Sequence, residues 1–189
     1  MYAFIPKAAI TCYSLDKPDV AYPKLRSQFY SEQIELSQQG KKPTEAVAIV
    51  QIMIFDQKGE LFVQKRSSFK KHNPGLLDKT IGGHITFGDT VEYTAMVETV
   101  QELQIPSIVT KDMNDFVKTH SLLKPYLNNL SILVPVTECF GKDLTLAKVI
   151  NGSKVQVIIK LICFLGCTPA LSAQLIKKPW GFFYTHWTS

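Results

Sequence analysis

The stretch GGHITFGDTVEYTAMVETVQELQI, Gly82 to Ile105, carries the densest chemistry in the chain. Two glycines lead through a loop into a segment that places Glu98, Gln101 and Glu102 at helical spacing. Residues three and four apart share one face of a helix, so these three side chains are predicted to project together. Gly82, Gly83 and Gly88 lack a Cβ and let the preceding loop approach closely. The predicted product is a groove with acidic oxygens on one wall and bare backbone beside them. Hard divalent cations suit such a wall: Mg²⁺ binds few carboxylates, keeps several waters and takes further oxygens from substrate phosphates. Bound there, it polarises phosphorus and activates water. The plain alternative is a solvated polar helix edge.

The same stretch resembles the Nudix box, G-x5-E-x7-R-E-U-x-E-E-x-G-U, with U a bulky aliphatic residue. Gly83 stands at the first glycine, Asp89 at the first acid, Glu98 at the Glu of the Arg-Glu pair, Glu102 at the last Glu and Ile105 at the closing aliphatic. Upstream, LFVQKRSSFKKHNPGLLDKTIGGH is similar to the Nudix branch that includes isopentenyl-diphosphate isomerase. The resemblance covers residues 45–105 well and the later strands loosely. It implies a Nudix-type α/β/α sandwich, an α+β fold with a mixed, mostly antiparallel sheet. It implies Mg²⁺ or Mn²⁺ as cofactor, held by Glu98 and Glu102 with Gln101 as a weak or water-mediated ligand. Glu98 and Glu102 are then the expected catalytic pair.

Four positions depart from the box. Its Arg is Val97, the first of its paired Glu is Gln101, its glycine is Gln104, and the aliphatic after Glu98 is Thr99. One cation and one anion are thus missing together, which preserves the local charge balance but weakens metal binding. Gly82 occupies the place of the isomerase's catalytic Cys, so isomerase chemistry is not expected. The resemblance makes His84 a candidate ligand, although a lone His in such a turn is more often a hydrogen-bonded structural residue. Lys65, Arg66, Lys70, Lys71 and His72 form a basic cluster that would hold a diphosphate opposite the metal, or is simply a solvated loop. Arg66, Lys65, Gly83, His84 and Asp89 are therefore the expected substrate-binding residues. Glu138 is read as a surface strand residue.

These groups need elements to position them. Leu25, Phe29 and Leu36 recur at helical spacing after Pro23, with Gly40 as a stop. EAVAIVQIMIF reads as a buried strand, ELFVQKR as its return, and Lys79 to Ile85 as a short strand. Asp89 with Glu92 resembles a capping box for a helix that ends before Pro106. NDFVKTHSLL suggests a short helix, NLSILVPVTECF a strand, LTLAKVINGSKVQVIIKLICFLG a hairpin about Asn151-Gly152, and GFFYTHW a last strand. Residues 1–44 are expected to be an extension with one helix, and residues 45–189 the Nudix domain. Tyr93, Met96, Val97 and Val100 give the helix a second, apolar face, expected either to meet a second copy of the chain or to be covered by the N-terminal helix. That helix is also a candidate to replace, across the sheet, the helix that usually closes the family's fold.

The chain has 189 residues, 46% hydrophobic and 20% charged, a size suited to one domain. No apolar run is long enough to span a membrane, and the N-terminus makes a poor signal peptide, so a cytoplasmic protein is expected. Cys12, Cys139, Cys163 and Cys167 form no CxxC pair and read as free thiols rather than a zinc site with His186. The net charge of +5 favours anionic partners. No nucleic-acid recognition motif accompanies it, so an organic diphosphate is the expected ligand. The leading expectation is a divalent-cation-dependent hydrolase of a nucleoside diphosphate derivative. The alternative is a catalytically weak Nudix domain that binds a phosphorylated ligand or a protein.

Overall fold

The computed structural model describes residues 9–56, 58–69, 74–150, 153–168 and 182–185, with the backbone alone at 128, 141–144, 153 and 182–185. Lys70, Lys71, His72, His186 and the Asn151-Gly152 turn lie outside the described residues. The described chain opens with a hairpin, β1 (Ala9–Ser14) and β2 (Lys17–Leu25), followed by helix α1 (Arg26–Gln38). The extended backbone thus runs through Pro23, and the helix starts later than its apolar spacing suggested. A proline is tolerated in β2 because, among the described residues, this strand pairs with β1 alone.

Strand β3 (Glu45–Phe55) is the centre of the fold. It runs parallel to β9 (Ser153–Cys167) on one side. On its other side it meets β1, then β6 (Ile81–His84), then β4 (Leu61–Lys65), all antiparallel. A strand covered on both faces reads as a continuous apolar run rather than an alternation. Ala48, Val50, Ile52 and Ile54 pack on one face with Ala95 and Leu103 of α2 (Val91–Leu103). Val47 and Ile49 pack on the other with Phe29 and Tyr30 of α1. The sheet continues through β5 (Leu77–Asp78) on β4, β7 (Ser107–Val109), β8 (Ser131–Ile150) and β10 (Phe182–Thr185), which pairs with β4. The pairs β3–β9 and β7–β8 are parallel and the rest antiparallel. The architecture is a mixed, mostly antiparallel sheet between helices, as expected.

The N-terminal segment is built into this sheet and brings two strands besides its helix. Lys24 of β2 pairs with Glu32 of α1 and, at 2.6 Å, with Glu45 of β3, tying the three elements together. Because α1 lies on the face of β3 opposite α2, it does not cover Tyr93 and Val100, which stay 52% and 48% exposed. α1 does supply a helix across the sheet from α2.

Strand β8 is one long strand where two were expected, with register shifts between Pro135 and Thr137 and between Phe140 and Thr145. Proline lacks the N–H that the ladder needs, so the strand bulges there and continues. Helix α3 (Met113–Leu123) matches NDFVKTHSLL. It is capped by Asp112, which accepts from Asp115 N at 2.9 Å. All four cysteines are free thiols. Burial pushes the Cys12 thiol up to about 12, so it is inert as a nucleophile. No described helix is long and apolar enough to cross a membrane.

Candidate active site

Two elements fix Glu98. The first is β6, whose Gly83 lies opposite Val50 and whose His84 lies opposite Ile49. The second is α2, anchored to the sheet by Ala95, Thr99 and Leu103, each at most 1% exposed. Buried Thr99 meets its hydrogen-bonding need within the helix by donating to Ala95 O at 2.7 Å. Thr90 caps this helix, its hydroxyl accepting from Tyr93 N at 3.1 Å. The expected cap, Asp89, instead closes a turn through Asp89 N to Thr86 O at 3.1 Å, after Gly88 at φ +97°. The turn leaves Thr90 as the last extended residue, and the cap moves with it.

Anchored in this way, α2 presses the Glu98 carboxylate onto Gly83. A Cβ at Gly83 would stand 1.8 Å from Glu98 Oε1. The neighbouring Gly82 serves another side chain: a Cβ there would stand 1.8 Å from Lys79 Cε and 2.8 Å from its Nζ. The two glycines let an acid and a base lie flat on one strand, as the close approach predicted from the sequence requires.

Glu98 and Glu102 line a cleft of about 640 Å³ with Gly82, Gly83 and His84. Four cations share it, Arg26, Arg66, Lys79 and Lys148, and Asp78 is its third carboxylate. Burial raises the Glu98 carboxyl above its usual range, Glu102 raises it further, and Arg26 and Lys79 pull it back. Burial also disfavours the Asp78 charge, but Lys79 and Arg66 prevail and hold its carboxyl below the usual range. Arg66 donates to Asp78 at 2.8 Å. Glu102 accepts from Gln64 Nε2 at 3.1 Å. Lys148 donates to the Tyr30 hydroxyl at 3.2 Å, and that oxygen is 2.8 Å from His84 Nε2. Burial and Arg26 together lower the Lys148 ammonium to about 8.

Of the residues expected at the site, the cleft therefore gathers Glu98, Glu102, Gly83, His84 and Arg66. Three other expected residues lie outside this cleft. Gln101 is exposed and lies outside the cleft lining. Three residues advance a helix by 300° and four by 400°, so Gln101 and Glu102 flank Glu98 on opposite sides, and the cleft takes the Glu102 side. Lys65 is exposed and does not line the cleft, whereas its neighbour Arg66 does. Adjacent residues of a strand face opposite ways. Asp89 lines a separate hollow with Glu138 and Lys160, which pair at 2.8 Å. Sequence reasoning missed Arg26, Tyr30, Asp78, Lys79 and Lys148. Only Asp78 and Lys79 had a local signal, because they lie just upstream of the double glycine, with Thr80 and Ile81 between.

Comparison with known proteins decides the family. The NUDIX domain matches residues 44–139, about half of the chain. The chain belongs to the Nudix family. Among solved structures this Nudix protein is similar to DR0079 from Deinococcus radiodurans, with a TM-score of 0.56. The two are 16% identical, and the match covers 93% of this chain and 82% of that one. At such identity the likeness shows the fold alone. No curated protein matches the chain.

The Nudix box departures now have places. Val97 is partly buried, and Lys79 and Arg26 supply the positive potential at Glu98 that a box Arg would give. Nudix hydrolases generally use divalent cations. Among the described residues no group of three or more His, Cys, Asp or Glu is placed to hold one. The donor set that remains, two carboxylates one helical turn apart, fits a hydrated hard cation that takes its other oxygens from a phosphate. It does not fit one enclosed by protein ligands.

Proposed function

We propose that this Nudix protein hydrolyses a diphosphate bond in a nucleoside diphosphate derivative or a similar organic diphosphate, with Mg²⁺ or Mn²⁺. The observation that carries the reading is the Glu98 carboxylate seated on the bare backbone of Gly83, inside a cleft whose other charges are mainly cationic. Glu98 and Glu102 are the residues to hold the cation, which when bound supplies Lewis acidity at the phosphate oxygens. Glu98 is raised by burial and by Glu102, so it is a stronger proton acceptor than an ordinary surface carboxylate. It takes a proton from water as the water oxygen attacks phosphorus. The phosphorus–oxygen bond to the leaving phosphate breaks, and the electron pair leaves with that oxygen. Arg26, Arg66, Lys79 and Lys148 face the charge that develops there.

The test is Mn²⁺-dependent phosphate release over a panel of nucleoside diphosphate derivatives, with Glu98→Gln as control. Release by the wild type and not by the control supports the reading. If both are equally silent, the second reading takes its place: a catalytically weak domain that binds a phosphorylated ligand. The position of Gln101 outside the cleft favours that second reading, since it leaves α2 with two acids where the family has three.

A further inference from the structure

Lys148 stands in an unusual environment for a cation. Its ammonium is partly buried, lies over the Tyr30 ring at 5.3 Å from the centroid and donates to the Tyr30 hydroxyl at 3.2 Å. Among the described residues no carboxylate is within ion-pair distance of it. Burial disfavours its charge most; of the charges that act on it, Arg26 opposes it first, Asp78 then favours it, and Arg66 opposes it again. Buried charges in folded proteins are ordinarily paired. This partly buried ammonium shares its cleft with a guanidinium, and among the described residues no carboxylate pairs with it.

We propose that Lys148 and Arg26 form an oxyanion subsite, positioned by Tyr30, that takes a phosphate group of the ligand without help from a metal. Tyr30 is 7% exposed and held on its far side by His84 Nε2 at 2.8 Å, so its oxygen is a fixed post that orients the ammonium. One ammonium hydrogen goes to Tyr30, and two remain for the ligand. The planar guanidinium of Arg26 adds forked donors that match a tetrahedral oxyanion. Arg26 comes from α1 and Lys148 from β8, before and after the segment that matches the Nudix family, so neither belongs to the residues by which the family is recognised. It rests on the hydrolase reading only for the identity of the anion: the phosphate it takes is the substrate's charged end, held in the cleft that Glu98 also lines.

The experiment is calorimetric titration of the full chain with inorganic pyrophosphate in a chelating buffer at low salt. Wild type should bind. Lys148→Met should weaken binding by at least about tenfold, and Arg26→Gln by about three- to tenfold. Lys148→Arg should restore most of the affinity, and Glu98→Gln should bind at least as tightly as wild type. Lys148→Met should melt no lower than wild type, because it removes a partly buried charge that no described carboxylate pairs with. Arg26 is exposed, so its variant reports on binding even if Lys148→Met folds poorly. Unchanged affinity in both variants, or no binding of pyrophosphate by the wild type, overturns the subsite. A subsite that binds as described while nucleotides release no phosphate with Mn²⁺ leaves the inference standing and removes the hydrolase reading.

Discussion

The two walls of the cleft were assembled by opposite routes. Glu98 and Glu102 sit one turn apart on a single helix, within the segment that matches the family. Arg26 and Lys148 come from α1 and β8, outside that segment, and meet only because β8, β9 and β3 lie side by side. Yet the walls share one electrostatic fault. Burial raises Glu98 and Glu102 raises it further, while burial lowers Lys148 and Arg26 lowers it further, so each wall holds a desolvated charge beside one of its own sign. On the proposed reading, a cation between the acids and a phosphate between the bases would relieve both strains at once. Neither wall is at its most stable alone, as expected where a site is shaped for a ligand rather than for the fold.

Removing the acid at the centre of the first wall should have the largest effect. Glu98→Gln is expected to cut phosphate release by at least about 100-fold, the usual loss for a general base. Its melting temperature should rise at neutral pH, because a desolvated carboxylate repelled by Glu102 is gone. The sign follows from linkage: a carboxyl raised in the fold stabilises it below its ordinary pKa and loses that contribution as pH climbs. A lower melting temperature would make Glu98 a packing residue and the walls unequal in kind.

The paired glycines offer a finer contrast. Gly83→Ala drives a methyl into Glu98 Oε1, and displacing a reacting group by about 1 Å can cost 100-fold. Gly82→Ala meets the flexible end of Lys79, which can swing away, so a loss of only about two- to fivefold is expected. Steady-state rates of the two variants at saturating Mn²⁺ decide it. Equal losses would mean that the position of Lys79 matters to the reaction as much as that of Glu98.

The walls should also separate by pH. Glu98 must be ionised to act, so the rate should fall in acid, at a pH that the bound cation lowers from the raised position of the metal-free carboxyl. Lys148 must be charged to hold phosphate, and its ammonium is lowered to about 8, so affinity for substrate should fall above that pH. Around it stand Tyr30 and Arg26 from α1, His84 from β6, and Arg66 and Asp78 across the cleft. None of these removes the need for a counter-charge. Lys148→Arg should extend the alkaline limb, because a guanidinium stays charged. An unshifted limb would assign the titration to another group.

This asymmetry explains what could be read from the sequence. β3, α2 and the seat of Glu98 on Gly83 follow from patterns that span only a few residues: an apolar run, a helical repeat, a pair of glycines. Arg26 and Lys148 carry no such pattern, because the register of distant strands brings them together. Gln101 was misplaced for a related reason. Spacing says that three residues share a helix edge, but only packing against β6 says which side of that edge faces the cleft. Lys65 and Arg66 form the simplest case, two adjacent cations on one strand end, of which the alternation of side chains admits only one to the cleft.

The smallest expected effect lies at the end of α2, where the acidic wall is fixed in place. Gln104 adopts the left-handed conformation, φ 59° and ψ 28°, and its N–H bonds to Val100 O at 2.9 Å. The family places glycine here, and the reason is geometric: a helix ending in this turn wants a residue without Cβ. Gln104→Gly should therefore stabilise the fold by about 1 kcal/mol, partly offset by the freedom glycine gains when unfolded. Denaturant unfolding would read the change as a higher midpoint with the same slope. Phosphate release should stay as in wild type, since Gln104 touches neither wall. A destabilised variant would mean that the left-handed turn is held by the glutamine side chain itself, and that this helix end is tuned differently from the family pattern it otherwise follows.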